Sequence, residues 1–392
     1  MTESNRIIFS GMQILVGNEW SLEHAVVVEE GIIKAVLPAD MIGHQLPAKQ
    51  VVYSPHHYLI PGLIDLHIHG AGGHDVMDGN EKALRGICET LASEGVTGFL
   101  ATTMTAPVAK LESVLSAIAA FMPGREGAAI LGIHLEGPFI SRDKMGAQAG
   151  DHVALPNPEW VQRWHEMTRG AFKLMTLAPE LTDVIPMIKT LRRLGVTSSV
   201  GHTNAGYAET CHALAAGCSH ATHLFNAMRG LHHREPGAAG ALLLSDKVNV
   251  ELIVDGLHLH PAVVDLAWRL KGTDRIVLVT DAMRAKCLGD GAFELGGHTV
   301  TVHAGCAALP DGTLAGSTLR MPQAIRNMAQ YTECSLADAV RMASANPARI
   351  LGLDGRKGSI ENGKDADLVV MDSAFEVELT LRGGKEVFKK HA

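Results

Sequence analysis

Two kinds of hydrophobic patterning divide the chain. Near its start, short apolar runs separated by turn residues read as a hairpin-rich sheet: Arg6-Ile-Ile-Phe, Gln13-Ile-Leu-Val, and two runs within 25–36 joined at Glu29-Glu30-Gly31. Residues 366–371 and 376–381 return to this style, with Gly383-Gly384 following them. Neither end is long enough to bury a core alone. The two are therefore expected to pair into one small β-sandwich domain, residues 1–60 with 355–392, split in sequence by everything between. The middle, residues 61–354, alternates strand and helix signals. Eight apolar strand-like runs begin at Leu63, Val96, Ala129, Lys173, Val196, His220, Val250 and Arg275. Helix-like stretches separate most of them, such as 110–120 and 207–217, the latter closed by Gly217. Eight such units predict an α/β fold, a closed (β/α)₈ barrel. A doubly wound open sheet competes, but no G-x-G-x-x-G turn follows the first strand as a dinucleotide fold requires.

Length and composition agree with a barrel. The chain has 392 residues, enough for a barrel of about 250 and a modest extra domain. Apolar residues make up 46% and aromatics only 4%, so the interior must be built from Ala, Val, Ile and Leu, as barrel layers usually are. A net charge of −8 without long runs of one sign offers neither a basic stripe for nucleic acid nor a polybasic patch for membranes. A small-molecule substrate is the expectation. The first 20 residues lack a secretory apolar core, and no run approaches membrane-spanning length. Six scattered cysteines with no C-x-x-C pair read as reduced packing thiols of a cytoplasmic protein.

The 21 histidines change the picture. His67, His69, Glu136, His202, His223 and Asp281 all fall at or near the C-terminal ends of predicted strands, the face on which barrels build catalysis. His67 and His69 are two apart on one strand, so both project to the same side and can hold one cation. Taken singly, each of the six reads as an ordinary hydrogen-bonded polar residue. Together they do not, because a core has no cause to collect charge at one rim. His24, His44, His56, His57, His152, His165, His212, His298 and His303 fall in predicted loops, helices or the small domain and read as surface or packing residues. His220 begins a strand rather than ending one, and His74 lies near the site without a partner pattern.

At these residues the chain resembles the amidohydrolase superfamily and, within it, the N-acetylglucosamine-6-phosphate deacetylase family. The carriers are the motifs beginning at Pro61, Gly132, Gly201, Thr222, Arg234, Val254, Val279 and Leu314, spread over nearly the whole chain. The resemblance implies that Glu136, His202 and His223 bind the principal metal and that Asp281 is the catalytic acid/base. Having both His67 and His69 implies a second metal, bridged by Glu136 and completed by Asp281. Zinc is the first expectation for one or two divalent ions per subunit, and iron, manganese or cobalt suit the same donors. Arg234 and His258 are implied to read the phosphate, with Arg234 reaching in from a neighbouring subunit of a homodimer. Asn226, Ala227 and the segment Leu314-Ala315-Gly316 are implied to contact the sugar and its acetyl arm.

The implied reaction is hydrolysis of N-acetyl-D-glucosamine 6-phosphate to D-glucosamine 6-phosphate and acetate. An amide carbon resists neutral water, and a metal both polarises the carbonyl and brings the pKa of bound water toward about 7. No G-x-S-x-G elbow is present and no cysteine stands at a motif position, so a covalent acyl-enzyme is a poor rival. One departure stands out: where the family usually has a histidine, this chain reads Gly146-Ala147-Gln148. Gln148 can donate a hydrogen bond to the substrate carbonyl but carries no proton, which keeps N-acetylgalactosamine 6-phosphate open as substrate. Two further readings are an amidohydrolase acting on a cyclic amide or N-acyl amino acid, and a barrel without catalysis kept for protein interaction.

Overall fold

A computed structural model describes residues 6–42, 48–122, 124 and 126–390; His44 lies outside them. Eight parallel strands form one sheet in sequence order: β1 (Leu63–Ile68), β2 (Val96–Thr103), β3 (Ala129–Glu136), β4 (Phe172–Leu177), β5 (Thr197–Val200), β6 (His220–Ala221), β7 (Asn249–Leu252) and β8 (Ile276–Leu278). The sheet closes where Ile68 bridges Ala282 and the Asp281 N–H donates to the His67 carbonyl at 2.9 Å. Beneath that seam the Thr280 hydroxyl donates to Asp65 Oδ2 at 2.6 Å. This is the (β/α)₈ barrel that the eight apolar runs predict, wrapped by helices whose buried residues recur at helical spacing. In helix Val184–Arg193 these are Val184, Met187, Ile188 and Leu191. Helix Glu81–Ala92 starts where Asn80 accepts from the Ala83 N–H, and Tyr207–Ala216 stops at Gly217, whose φ of 118° suits glycine.

Both chain ends supply the β sandwich. A six-stranded sheet joins Gln13–Val16, Glu19–Ser21 and Tyr58–Pro61 to Leu368–Met371, Val377–Arg382 and Lys385–Lys389, and a four-stranded sheet holds Arg6–Ser10, His24–Glu29, Ile32–Pro38 and Lys49–Val52. Their inner faces bury Phe9, Ile14, Val26, Val28, Ile33, Leu59, Leu368 and Val370 in a core separate from that of the barrel. Gly31, at φ 81°, shows why its turn requires glycine: a Cβ there would sit 2.7 Å from the Gly383 carbonyl oxygen. Tyr58–Pro61 runs through Gly62 directly into β1, so the sandwich sheet anchors the strand that carries His67.

Two features depart from the sequence reading. Residues 291–308 form an antiparallel sheet of Gly291–Leu295, His298–His303 and Cys306–Ala308, set against Met104, Ala147, Met283 and Ala315 beside the barrel mouth. Alternation explains it: Val300 and Val302 point inward while Thr299, Thr301 and His303 are exposed, and His298 is exposed at the strand's first position, beside the Gly296-Gly297 turn. Both histidines thus lie on a strand, and on the surface as expected. The run beginning at His220 keeps only two residues as strand, because the backbone turns left-handed at His223, Phe225 and Ala227.

Candidate active site

Six residues from five strand ends meet at the C-terminal mouth. Glu136 ends β3, while His202, His223 and Asp281 follow β5, β6 and β8 with φ of 46°, 29° and 47°. A non-glycine residue held there costs about 1–3 kcal/mol, so the surrounding turns hold these side chains against a local penalty. Glu136 Oε1 is 3.0 Å from His202 Nε2 and 3.0 Å from His223 Nε2, and the two nitrogens are 3.1 Å apart. Asp281 Oδ1 is 3.3 Å from His67 Nε2 and 3.2 Å from His69 Nε2. Glu136 joins the two groups, with Oε1 3.4 Å from His67 Nε2 and Oε2 3.2 Å from His69 Nε2.

The donor chemistry of these rings fits a cation. His202 Nδ1 lies 2.9 Å from the Lys144 carbonyl and His69 Nδ1 lies 3.3 Å from that of Thr102. A carbonyl only accepts, so both rings carry the proton on Nδ1 and aim an Nε2 lone pair at carboxylate oxygens. His67 commits Nδ1 to Glu251 Oε2 at 3.0 Å and leaves a buried Nε2 with no hydrogen-bond partner. Lone pairs converging on carboxylates at 3.0–3.4 Å match donors about 3.3 Å apart around a tetrahedral ion with bonds of about 2.0–2.1 Å. The two triplets His67/His69/Asp281 and Glu136/His202/His223 are thus each able to hold a metal ion.

Without a cation, protons fill the same role. Burial opposes charge on His67, but the carboxylates of Asp281, Glu136 and Glu251 override it and raise its pKa well above the usual histidine value. His69 behaves alike, burial being overcome by Asp281 and Glu136, and is pushed up to about 9. In return, burial that would raise Glu136 is outweighed by His67 and His202, which hold its carboxyl well below the usual range. Asp281 is likewise lowered, burial giving way to His67 and His69.

A cavity of ≈ 360 Å³ opens over the cluster, and Ala147, Gln148, Asn226, Ala227, His258, Leu314 and Gly316 line it together with Glu136 and Asp281. Ala315 does not line it; its methyl is fully buried in the small core under the 291–308 sheet. Arg234 lies on the exposed 230–235 loop, with its Nη1 2.7 Å from His233 Nε2, and does not line the cavity of its own chain. His258 Nδ1 is 2.7 Å from Asp255 Oδ2. Burial opposes its charge, the Asp255 hydrogen bond and charge favour it, and the net shift is upward. Gln148 commits its amide to the protein. Its Nε2 donates to Glu136 Oε2 at 2.7 Å and its Oε1 accepts from the Thr105 N–H at 2.6 Å, so it also orients Glu136.

Beneath the site lies a buried polar layer that sequence reasoning missed. Glu251 on β7 is fully buried and accepts from His67 Nδ1, from His220 Nε2 at 3.0 Å and from the His223 N–H at 3.1 Å. His134 on β3 packs edge-on to His67 with ring centroids 4.7 Å apart; burial first, and then the His67 charge, hold its pKa well below the usual value. The signal for Glu251 was available: a carboxylate inside Val250-Glu-Leu-Ile-Val is costly in a barrel strand unless something pairs with it. His74 is half-buried beside Gly86, away from the cavity.

A closed barrel whose mouth gathers two ligand triplets around one shared carboxylate defines a metal-dependent hydrolase that works with a divalent ion. The chain belongs to the amidohydrolase family, whose profile matches residues 58–387. It is 44% identical over 334 residues to an N-acetylglucosamine-6-phosphate deacetylase of Bacillus subtilis, covering 84% of each chain. It is 36% identical over 372 residues to an N-acetylgalactosamine-6-phosphate deacetylase of Escherichia coli O157:H7, covering 95% of this chain and 96% of that one. The crystal structure of N-acetylglucosamine-6-phosphate deacetylase from Pasteurella multocida superposes with a TM-score of 0.92 at 30% identity, covering 97% and 99% of the two chains.

Proposed function

We propose that this chain hydrolyses N-acetyl-D-glucosamine 6-phosphate to D-glucosamine 6-phosphate and acetate. The observation that carries the reading is the Glu136 carboxylate lying between the two histidine groups, with Asp281 beside it at the cavity floor. Glu136, His202 and His223 would hold one divalent ion, and His67, His69 and Asp281 a second. We assign zinc, an ion these nitrogen and oxygen donors suit. When bound, it supplies Lewis-acid polarisation of the amide carbonyl and a lowered pKa for water.

The chain's own residues carry the rest. Asp281 has the most open side chain of the six, at 12% exposure, and its lowered pKa keeps it ionised. It takes the proton of the attacking water and passes it to the sugar nitrogen, because an amine departs only once protonated. His258, whose charged form Asp255 favours, faces the phosphate from within the cavity. Arg234 completes that site from the partner subunit of a homodimer, which accounts for its absence from its own chain's cavity; a guanidinium fork suits a dianion. Asn226, Ala227, Leu314 and Gly316 flank the sugar and acetyl arm. Six cysteines, all unpaired, support a cytoplasmic location. Among the described residues, no helix is long and apolar enough to cross a membrane.

A second reading, the galactosamine epimer as substrate, is favoured by the likeness to the Escherichia coli relative. Turnover of both N-acetylhexosamine 6-phosphates and of their unphosphorylated forms tests the proposal. The expected result is a higher kcat/KM for the glucosamine phosphate. A reversed order makes the epimer the substrate, and equal rates with and without phosphate remove His258 and Arg234 from their roles.

A further inference from the structure

Glu251 spends both carboxylate oxygens on the groups that hold the ligands. Oε2 takes the His67 ring Nδ1 and the backbone N–H of His223, while Oε1 takes His220 Nε2. One carboxylate thus touches a ligand from each triplet without being able to reach either ion. For His67 this matters because an imidazole offers a lone pair at only one nitrogen. With the proton on Nδ1 the lone pair sits at Nε2, facing Asp281 and Glu136. With the proton on Nε2, an N–H would fill the space where an ion belongs. We propose that Glu251 is the positioning residue of the His67–His69–Asp281 ion site, holding the His67 ring in the one tautomer and rotation that presents Nε2 to a cation. The inference rests on the two-ion reading above.

The same geometry separates positioning from charge. Glu251→Gln keeps an acceptor oxygen for His67 and His223 and turns its NH₂ toward His220. His220 can accept it by moving its own proton to Nδ1, an atom that is buried with no hydrogen-bond partner. Glu251→Leu removes the acceptor altogether. The experiment measures the affinity of each ion, by chelator competition on the zinc-loaded wild type and both variants, with ion stoichiometry from elemental analysis. In Glu251→Leu the second ion is expected to bind about 10–100-fold more weakly, while Glu251→Gln stays close to wild type and the Glu136–His202–His223 ion is retained. Equal loss in both variants would mean that charge rather than orientation matters and would overturn the proposal, as would an unchanged second ion in Glu251→Leu. A wild type that never takes a second ion would overturn the two-ion reading and this inference with it. Should Glu251→Leu fail to fold, ¹⁵N-histidine spectra of the zinc-loaded wild type decide, with His67 assigned from a His67→Asn difference spectrum. A protonated Nδ1 on a ring whose Nε2 binds the metal supports the proposal, and the opposite assignment refutes it.

Discussion

Replacing Asp281 by Asn removes the proposed proton carrier while leaving the Glu136–His202–His223 site all three of its donors. The amide keeps the shape of the carboxylate and an oxygen to place near His67 and His69, which lie 3.3 and 3.2 Å from Asp281 Oδ1. It cannot take up a proton. The Glu136–His202–His223 triplet, whose atoms lie 3.0–3.1 Å apart without help from Asp281, keeps its ion. A positioned general acid/base contributes about 10²–10⁴-fold, equivalent to about 2.7–5.5 kcal/mol of barrier. Asp281→Asn is therefore expected to lower kcat for acetate release by that factor, with substrate affinity by calorimetry and the thermal midpoint close to wild type. A kcat reduced by less than about tenfold, short of the general-acid/base range, in a variant that retains its metal would remove Asp281 from the proton path.

If Arg234 serves the neighbouring site, Arg234→Ala should raise KM for the phosphorylated substrate about tenfold or more with little change in kcat. Mixed dimers of Arg234→Ala with Asp281→Asn should then contain one site that combines wild-type KM with wild-type kcat, a combination neither parent has, whereas an unrestored KM on mixing would place Arg234 outside the partner's site. The raised pKa of His258 and lowered pKa of Asp255 fix the sign of a pH effect. The His258 share of stability is complete below about pH 6.5 and fades as pH rises through its raised folded value, and the Asp255 share is complete above about pH 4 and fades as pH falls through its lowered one. Asp255→Asn should thus cost most in thermal midpoint between about pH 4 and 6.5, and should raise KM more at pH 8 than at pH 6.5; a pH-independent difference would contradict the pairing. Lys286 and Glu94, both fully buried and 2.7 Å apart, form an ion pair, so Lys286→Ala should cost about 3–5 kcal/mol in urea unfolding by leaving Glu94 with only the more distant Arg320 Nε at 3.5 Å. A loss under about 1 kcal/mol, well short of that range, would show that water or Arg320 replaces the lysine.

The barrel was legible because a parallel strand buried on both faces writes itself as an apolar run, and the cluster at its mouth because charge at the end of such a run is conspicuous. His67, Glu136, His202, His223 and Asp281 all announced themselves in that way. Glu251 was legible only as a costly carboxylate inside its run; what pairs with it was not, because His67 and His220 come from other strands. The 291–308 sheet was missed for a different reason, since its strands are short and largely exposed and their alternation is only a few residues long. Gln148 was visible as a departure from a motif, but its engagement of Glu136 depends on how the 142–152 loop folds back over β3, which no local pattern encodes. Arg234 does not line the cavity of its own chain, and the cross-subunit role proposed for it is one that neither one sequence nor one folded chain defines.

The whole chemistry rests on side chains from distant strand ends enclosing a divalent ion. Anomalous diffraction above and below the zinc edge, from crystals grown with zinc, observes that ion itself. One peak is expected about 2.0–2.2 Å from Glu136, His202 and His223, and a second beside His67, His69 and Asp281. Crystals showing no anomalous density at either position, with zinc bound elsewhere or not at all, would refute the proposed metal centre.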